Sequence, residues 1–364
     1  MEKSTPLYHK HLELGAMMVP FAGWQMPLHY GSQLEEHHAV RNQVGVFDVS
    51  HMLAIDVQGP QATAFLRYLL ANDIFKLNSN GKALYTCMLN HEAGIMDDLI
   101  VYRLGENAYR CVVNAATADK DEAWIHHQSQ SYQVSINPRQ DVCLLAVQGP
   151  KTFEKLLQVL PLATVHALQA LTPFHFFADK NTIIARTGYT GEMGVEMMVT
   201  SDQVVDLWDR LIQQGVRPIG LAARDSLRLE AGLNLYGTDM DEGISPDESN
   251  LSWTIDLKDP VRDFIGKVAL LAKRRLGVKD QLVGVLLLEK GVCRPHMVIH
   301  VKNDQQVWLQ GSLTSGSFSP TLNSGIGLAR IPVGTFQEAQ VEIRGKRVPV
   351  KLVKLPFYRY TAKA

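Results

Sequence analysis

Ile55-Asp-Val-Gln-Gly-Pro60 leads into Phe65, Leu66, Leu69 and Leu70, and Leu145-Ala-Val-Gln-Gly-Pro150 leads into Phe153, Leu156, Leu157 and Leu160. Each stretch reads as a strand, a glycine, a proline at the first helical position and an amphipathic helix. The echo continues downstream. A strand over 84–88, a glycine-containing turn and Asp98-Leu-Ile-Val-Tyr102 answer to a strand over 182–186, a turn with three glycines and Glu196-Met-Met-Val199. Helices over 117–127 and 201–214 follow, the second closed by Gly215. Order, spacing and a carboxylate at the strand start recur together. The pattern therefore predicts two related α+β units, pseudo-duplicated and interleaved, with repeats starting near 55 and 145. Chance recurrence of Val-Gln-Gly-Pro at two strand-to-helix junctions is the alternative.

Upstream, Ser32-Gln-Leu-Glu35 reads as a capping box that opens a helix, and Gly45 suits its end. Downstream, a short helix over 266–276 runs into a linker over 274–280. From Leu282 the texture changes to short β-rich runs at 282–288, 297–302, 307–309, 325–330, 340–344 and 347–354, with turns at Asn303-Asp304 and Gly345. This predicts a core over 1–275 and a small all-β module over 282–364.

The chain has 364 residues, with 36 Lys+Arg against 37 Asp+Glu and a formal charge of -1. No basic stripe for a polyanion is visible, so a nucleic-acid partner is not expected. No apolar run approaches the roughly 18 residues of a membrane span. The first residues mix Glu2, Lys3, His9, Lys10 and Glu13 without an apolar leader. Cys87, Cys111, Cys143 and Cys293 are scattered, with no CxxC pair. Cys87, in an apolar run, reads as a buried, unreactive thiol. A cytoplasmic protein is expected.

Metal sites find little support. His37-His38 and His126-His127 are adjacent pairs that point about 100° apart on a helix and cannot chelate one ion. Glu35-Glu36-His37-His38 reads as a solvated helix face and Asp239-Met-Asp241-Glu242 as an acidic surface turn. No metal is expected. Nucleophile elbows, phosphate loops and dinucleotide fingerprints are absent from the sequence.

Two turns and one helix remain. In Gly94-Ile-Met-Asp97-Asp98-Leu-Ile-Val-Tyr102, alternation sends Asp97 and Asp98 to opposite faces, so they cannot share one site, and Asp98, Ile100 and Tyr102 line the inward one. A buried carboxylate needs partners or a donor-rich ligand; a capped turn acid is the other reading. Arg186-Thr-Gly-Tyr-Thr-Gly-Glu-Met-Gly-Val-Glu196 brings Tyr189 and Glu196 towards one cleft, where a carboxylate could accept two parallel bonds from an aminopyrimidine edge. A glycine-rich hairpin with a structural acid is its alternative. In the helix at 220–232, Asp225 can pair with Arg228, leaving Arg224 for a ligand, or the whole can be a surface ion-pair helix.

Phe21-Ala-Gly-Trp24-x-Met-Pro27, Gly45-x-Phe-Asp-Val-Ser-His-Met52, Gly94-x-x-Asp97-Asp98-Leu99, Arg186-Thr-Gly-Tyr-Thr-Gly-Glu192, Gly220-x-x-Ala-Arg-Asp225, Arg228-Leu-Glu-Ala-Gly232, Ser315-Gly-x-Phe-Ser-Pro320 and Lys354-x-Pro-Phe357, with Thr5-Pro-Leu at the start, resemble the aminomethyltransferase (T-protein) family of the glycine cleavage system. The match runs end to end, and Pro20 stands where the family commonly carries an acid. The resemblance implies two interleaved α+β units around a central folate channel, with a C-terminal β-barrel. It implies release of ammonia from the aminomethyl group on the dihydrolipoyl arm of the H-protein, with the one-carbon unit passing to tetrahydrofolate as 5,10-methylenetetrahydrofolate. By position, the key acid falls on Asp98, the pterin-facing carboxylate on Glu196 with Arg224 and Tyr189 beside it, and further pocket residues on Tyr85, Tyr102 and Met52. A non-catalytic folate-binding relative of the iron-sulfur assembly type and a folate-dependent demethylase domain are the rival readings. The first typically carries a cysteine motif and the second a flavin domain, and neither signal is present in the sequence.

Overall fold

The computed structural model of the chain describes residues 2–180 and 182–360. By compactness these form two units. The first takes in residues up to Leu69, Asp73–Thr86 and Asp97–Arg224; the second takes in Leu70–Asn72, Cys87–Met96 and everything from Asp225 onward.

The first unit opens with a small sheet of Lys3–Ser4 (β1), Met17–Phe21 (β2) and Trp24–His29 (β3), in the order β1-β3-β2. Pro20 lies on the edge strand β2, exposed, where a missing backbone N–H costs no ladder bond. The strands that follow are Gly45–Asp48 (β4), Leu53–Gln58 (β5), Ala83–Leu89 (β6), Ile95–Gly105 (β7), Ala108–Val113 (β8), Ser135–Arg139 (β9), Val142–Gln148 (β10), Phe176–Asp179 (β11), Thr182–Ala185 (β12), Gly194–Thr200 (β13) and Arg217–Pro218 (β14). They make two sheets, ordered β6-β7-β8-β5-β9 and β11-β12-β13-β10-β4-β14.

These orders match strand for strand over five positions, so the duplication is real. Its detail differs from the expectation. In space β7 corresponds to β12 and β8 to β13, and the helices Ala118–Ser129 and Val204–Gln213 follow β8 and β13. Asp98 on β7 and Glu196 on β13 therefore occupy non-equivalent positions. Interleaving is visible in β4, which precedes the first repeat yet pairs with β10 of the second. The repeated glycines adopt the same left-handed geometry, Gly59 at φ 135° and Gly149 at φ 133°. A Cβ there would lie 2.5 Å from the Gln133 and Gln43 carbonyl oxygens, respectively. The helices begin at Ala62 and Thr152, two residues after each proline.

Three local expectations need correction. The helix after Ser32 spans Gln33–Asn42, with the Ser32 hydroxyl accepting from the Glu35 N–H, but Glu35 reaches out to Arg217 instead of back to the cap. Gly45 belongs to β4, where any Cβ would strike Ile219 at 2.4 Å. Glu36 and His37 are fully buried, not solvated, because the Glu36 carboxylate staples two loops by accepting from the Tyr30 and Gly220 N–H groups.

The main core of this unit gathers Val46, Leu145, Val147, Ile184, Val195 and Met197 from the second sheet around Trp208 and Leu211 of the helix Val204–Gln213. The other sheet carries a buried ion pair across β5 and β8. Asp56 accepts from Arg110 at 2.7 and 2.9 Å and from Arg139 at 2.8 Å.

In the second unit, Asp280–Leu287 (β15), Val298–Asn303 (β16), Trp308–Ser319 (β17), Ser324–Pro332 (β18), Phe336–Ile343 (β19) and Lys346–Val353 (β20) close into a barrel ordered β15-β18-β17-β16-β19-β20. The expected run at 307–309 is the start of the twelve-residue β17. Its later part, rich in Gly and Ser, hides a strand whose glycines permit close approach, with Gly311 against the Arg330 carbonyl and Gly316 against Cys293. Asp239 is buried, unlike the expected surface acid, and accepts from Arg228, the Leu235 N–H and Thr314. Arg228 is 2% exposed and also binds Asp225 and Ser315, so this is no surface ion-pair helix. All four cysteines are buried thiols.

Asp56→Ala leaves Arg110 buried without its carboxylate, and a loss of about 3 kcal/mol in urea-unfolding stability is expected.

Candidate active site

Every sequence-predicted site residue belongs to the first unit. Glu196, Tyr189 and Arg224 come together. They line a half-open cleft with Phe47, Val49, Ala146, Gln148 and Thr190. The Arg224 guanidinium stacks 4.5 Å from the Tyr189 ring centre, which orients its planar donors. Glu196 Oε2 accepts from the Thr187 hydroxyl at 2.5 Å. Burial pushes the Glu196 carboxyl up, while Thr187 and the Arg224 charge hold it down. The result is a half-buried acid with an arginine beside it.

Gln148 builds the wall of this cleft, and the sequence reading missed it. Its Nε2 donates to the carbonyls of Val147 at 3.3 Å, Thr187 at 3.1 Å and Val195 at 3.3 Å, and its Oε1 accepts from the Thr190 hydroxyl at 2.8 Å. A Cβ on Gly188 or Gly194 would come within 2.1 or 2.4 Å of this amide. Of the three glycines in the turn, only Gly191 needs positive φ; the other two make room for Gln148. The signal lay in the repeat, since Gln148 is the glutamine of Val-Gln-Gly-Pro, whereas its counterpart Gln58 is exposed. Arg41, from the helix Gln33–Asn42, pins the same turn by donating to the Thr190 carbonyl at 2.7 Å and to Glu192 at 2.9 Å.

His51 is another omission. It is buried against Phe21, with ring centres 5.7 Å apart, and burial followed by the Arg224 charge pushes it down to about 4. It is a neutral imidazole at neutral pH.

On β7 the enclosed acid is Asp97, fully buried, while Asp98 and Ile100 lie on the partly open side. The expectation of a single inward acid at 98 is corrected. Asp121 of the helix Ala118–Ser129 packs on the Asp97 side, which closes that face. Nor does alternation keep the two acids apart, because the Asn114 side-chain amide donates to Asp97 Oδ1 at 2.9 Å and to Asp98 Oδ1 at 3.1 Å. Tyr85 completes the cradle, its hydroxyl donating to Asp98 Oδ2 at 2.7 Å. Burial, then the Asp97 charge, push the Asp98 carboxyl up to about 7, against the pull of Tyr85 and Asn114. A carboxyl poised there can hold or release a proton near neutrality.

Tyr102, also on β7, is 1% exposed and feels the charge of Glu196 and the hydroxyl of Thr187. It links the Asp98 strand to the Glu196 cleft as a packed residue. Met52 is partly exposed and ends the turn after Val49, to whose carbonyl its N–H donates at 3.1 Å. It is not among the residues that line the cleft. Among the described residues, no group of three or more His, Cys, Asp or Glu is placed to hold a metal ion, and no helix is long and apolar enough to cross a membrane.

A duplicated α+β core with a paired-acid strand and an Arg–Glu cleft, together with a β-barrel, is the architecture of a transferase class that the comparisons with known proteins identify. Residues 7–259 match the GCVT N-terminal domain, and residues 281–359 match the glycine cleavage T-protein C-terminal barrel domain. The aminomethyltransferase of Bordetella petrii is 53% identical over 364 residues, covering 98% of this chain and 97% of that protein. The aminomethyltransferase of Bordetella bronchiseptica is 52% identical over 363 residues, with the same coverage. The crystal structure of glycine cleavage system aminomethyltransferase T from Bartonella henselae superposes with a TM-score of 0.90 at 34% identity, covering 99% of each chain. The chain belongs to the aminomethyltransferase family, the T-proteins of the glycine cleavage system.

Tyr85→Phe removes a donor that favours the charged form of Asp98. Its pKa is expected to rise above about 7, measured by carboxyl carbon NMR titration against the wild type.

Proposed function

We propose that this chain carries out the tetrahydrofolate-dependent step of glycine cleavage, with Asp98 as its acid–base group and the Glu196 cleft as the seat of the pterin. The observation that carries the reading is the Asp98 carboxyl, partly open, held by Tyr85 and Asn114 beside the enclosed Asp97, with burial and then the Asp97 charge pushing it up to about 7. In this reading the partner is the lipoyl-bearing H-protein. The division into a folate-binding core over 1–275 and a barrel domain over 282–364 belongs to the same reading, and the limits of the two family matches support it.

The donor set suits a pterin. An aminopyrimidine edge offers two parallel N–H donors to the Glu196 carboxylate, and its ring carbonyl can accept from Arg224. The cleft is open on one side, so the rest of the folate would extend beyond it. Bound folate supplies two nucleophilic nitrogens.

The chemistry balances without oxidation. The S–CH2–NH2 unit and two folate N–H groups give a thiol, ammonia and an N–CH2–N bridge. The two protons leaving folate end on sulfur and on ammonia. Asp98, as its carboxylate, stabilises the cationic carbon of the transfer and accepts a nitrogen proton; as its acid, it returns that proton to the departing group. A free carboxylate near its usual value would be too weak a base for this exchange, and one pushed to about 7 is matched to it. Tyr85 and Asn114 fix the carboxyl so that its oxygens face the reacting nitrogen. No enzyme nucleophile is required.

Incubation of the purified chain with aminomethylated H-protein, with and without tetrahydrofolate, tests the whole reading: folate should accelerate ammonia release. Asp98→Asn is expected to bind folate normally and lose most of the transfer. Wild-type turnover in that variant would remove Asp98 from its role. Glu196→Ala is expected to weaken folate binding at least about a hundredfold by calorimetry, the loss of two charge-assisted hydrogen bonds. Since the rate needs ionised Asp98, it should fall as pH drops through about 7.

A further inference from the structure

Asp121 is fully buried in the helix Ala118–Ser129, and neither of its carboxyl oxygens meets a hydrogen-bond donor. A charged carboxylate cannot rest there cheaply. The groups that face it are Asp97 on β7, Thr117 at the head of the helix and Lys120 beside it. The Thr117 hydroxyl already gives its hydrogen to the Asn114 carbonyl, at 3.1 Å. That leaves the Asp97 carboxyl as the polar group opposite, and two carboxyls can bond only when one of them holds a proton.

The bonds made by Asp97 decide which one. Asn114 donates to both its oxygens, from the backbone N–H at 3.0 Å and from the side-chain amide at 2.9 Å. Donors favour the charged form, so the negative charge belongs on Asp97 and the proton on Asp121. The same Asn114 amide then reaches Asp98 Oδ1 at 3.1 Å.

We propose that Asp121 is a positioning residue for the transfer reaction: it donates the hydrogen bond that holds the Asp97 carboxylate in place, and Asp97 in turn orients the surroundings of Asp98 through Asn114. This rests on the reading of Asp98 as the acid–base group. The electrostatics run the same way, since burial followed by the Asp97 charge push Asp121 up to about 10. Asp98 itself faces Asp97, Tyr85 and Asn114. With Asp121 unable to donate, the Asp97 carboxylate is no longer held against Asn114 and Asp98, the repulsion on Asp98 weakens and Asp98 titrates lower.

Infrared spectroscopy of the full-length protein tests the proton directly. At a pH between the values of about 7 for Asp98 and about 10 for Asp121, a neutral carboxylic-acid band is expected in the wild type and absent from Asp121→Asn. An identical spectrum in the two proteins overturns the proposal, and this readout depends on neither turnover nor Asp98. The pH–rate profile tests the coupling. Asp121→Asn keeps an N–H donor and should hold the acidic limb in place, whereas Asp121→Val should move it to lower pH by about half a unit or more. A limb unmoved in a folded Asp121→Val protein also overturns the proposal. Failure of the underlying reading shows elsewhere, as full transfer by Asp98→Asn.

Discussion

The Gln148 carboxamide is the constraint on which the cleft around Glu196 depends. It is buried at the end of β10, spends its donors on three carbonyls and accepts from Thr190. A buried primary amide left unpaired costs about 1–3 kcal/mol per lost partner, so the turn over 187–190 has little freedom to drift. Two glycines are required simply to let the backbone close on it. Tyr189 within that turn and Glu196 on the strand beyond it inherit fixed positions, and the stacking of Arg224 on Tyr189 adds a rigid donor plane. A side chain with no reactive chemistry thus sets the geometry of those that have it.

Much of this was legible in the sequence. The repeated strand–glycine–proline–helix signal predicted the two related sheets and their interleaving, and the alternation after Leu282 predicted the barrel. Asp98, Tyr85, Glu196, Tyr189 and Arg224 were all named from motifs and lie where a site can form. What escaped depends on distance in space. Glu36 and His37 sit in a polar helical run that reads as solvated, and only the loops arriving from Tyr30 and Gly220 bury them. Gln148 looked like a junction residue because its repeat partner Gln58 is one. The strand inside Gly311 to Ser319 was hidden because close backbone approach needs glycine, which also marks loops.

The duplication shows how one fold produces two unlike halves. The sheets share strand order and the left-handed glycine, yet the acids stand on non-equivalent strands, Asp98 on β7 and Glu196 on β13. Where the second sheet has Gln148 locked into a cleft wall, the first has Gln58 in solvent, and where the first has the Asp56–Arg110 pair, the second has Ala146. The common architecture supplies rigidity, and each half uses its own register for function. Functional symmetry does not follow from structural symmetry.

The position of the paired acids follows from where β8 ends. The register of β7 with β8 runs from Ile100 and Val112, so Asp97 and Asp98 lie beyond the part of β7 that β8 covers. β7 keeps its alternation through them, with Asp97 enclosed and Asp98 on the partly open side. Asn114, just past the end of β8, reaches both carboxyls with one side-chain amide. The two acids therefore face different ways and still share a donor, and burial, then the charge on the enclosed Asp97, push the open Asp98 up to about 7. The end of a neighbouring strand thus places the one amide that ties an enclosed acid to an open one.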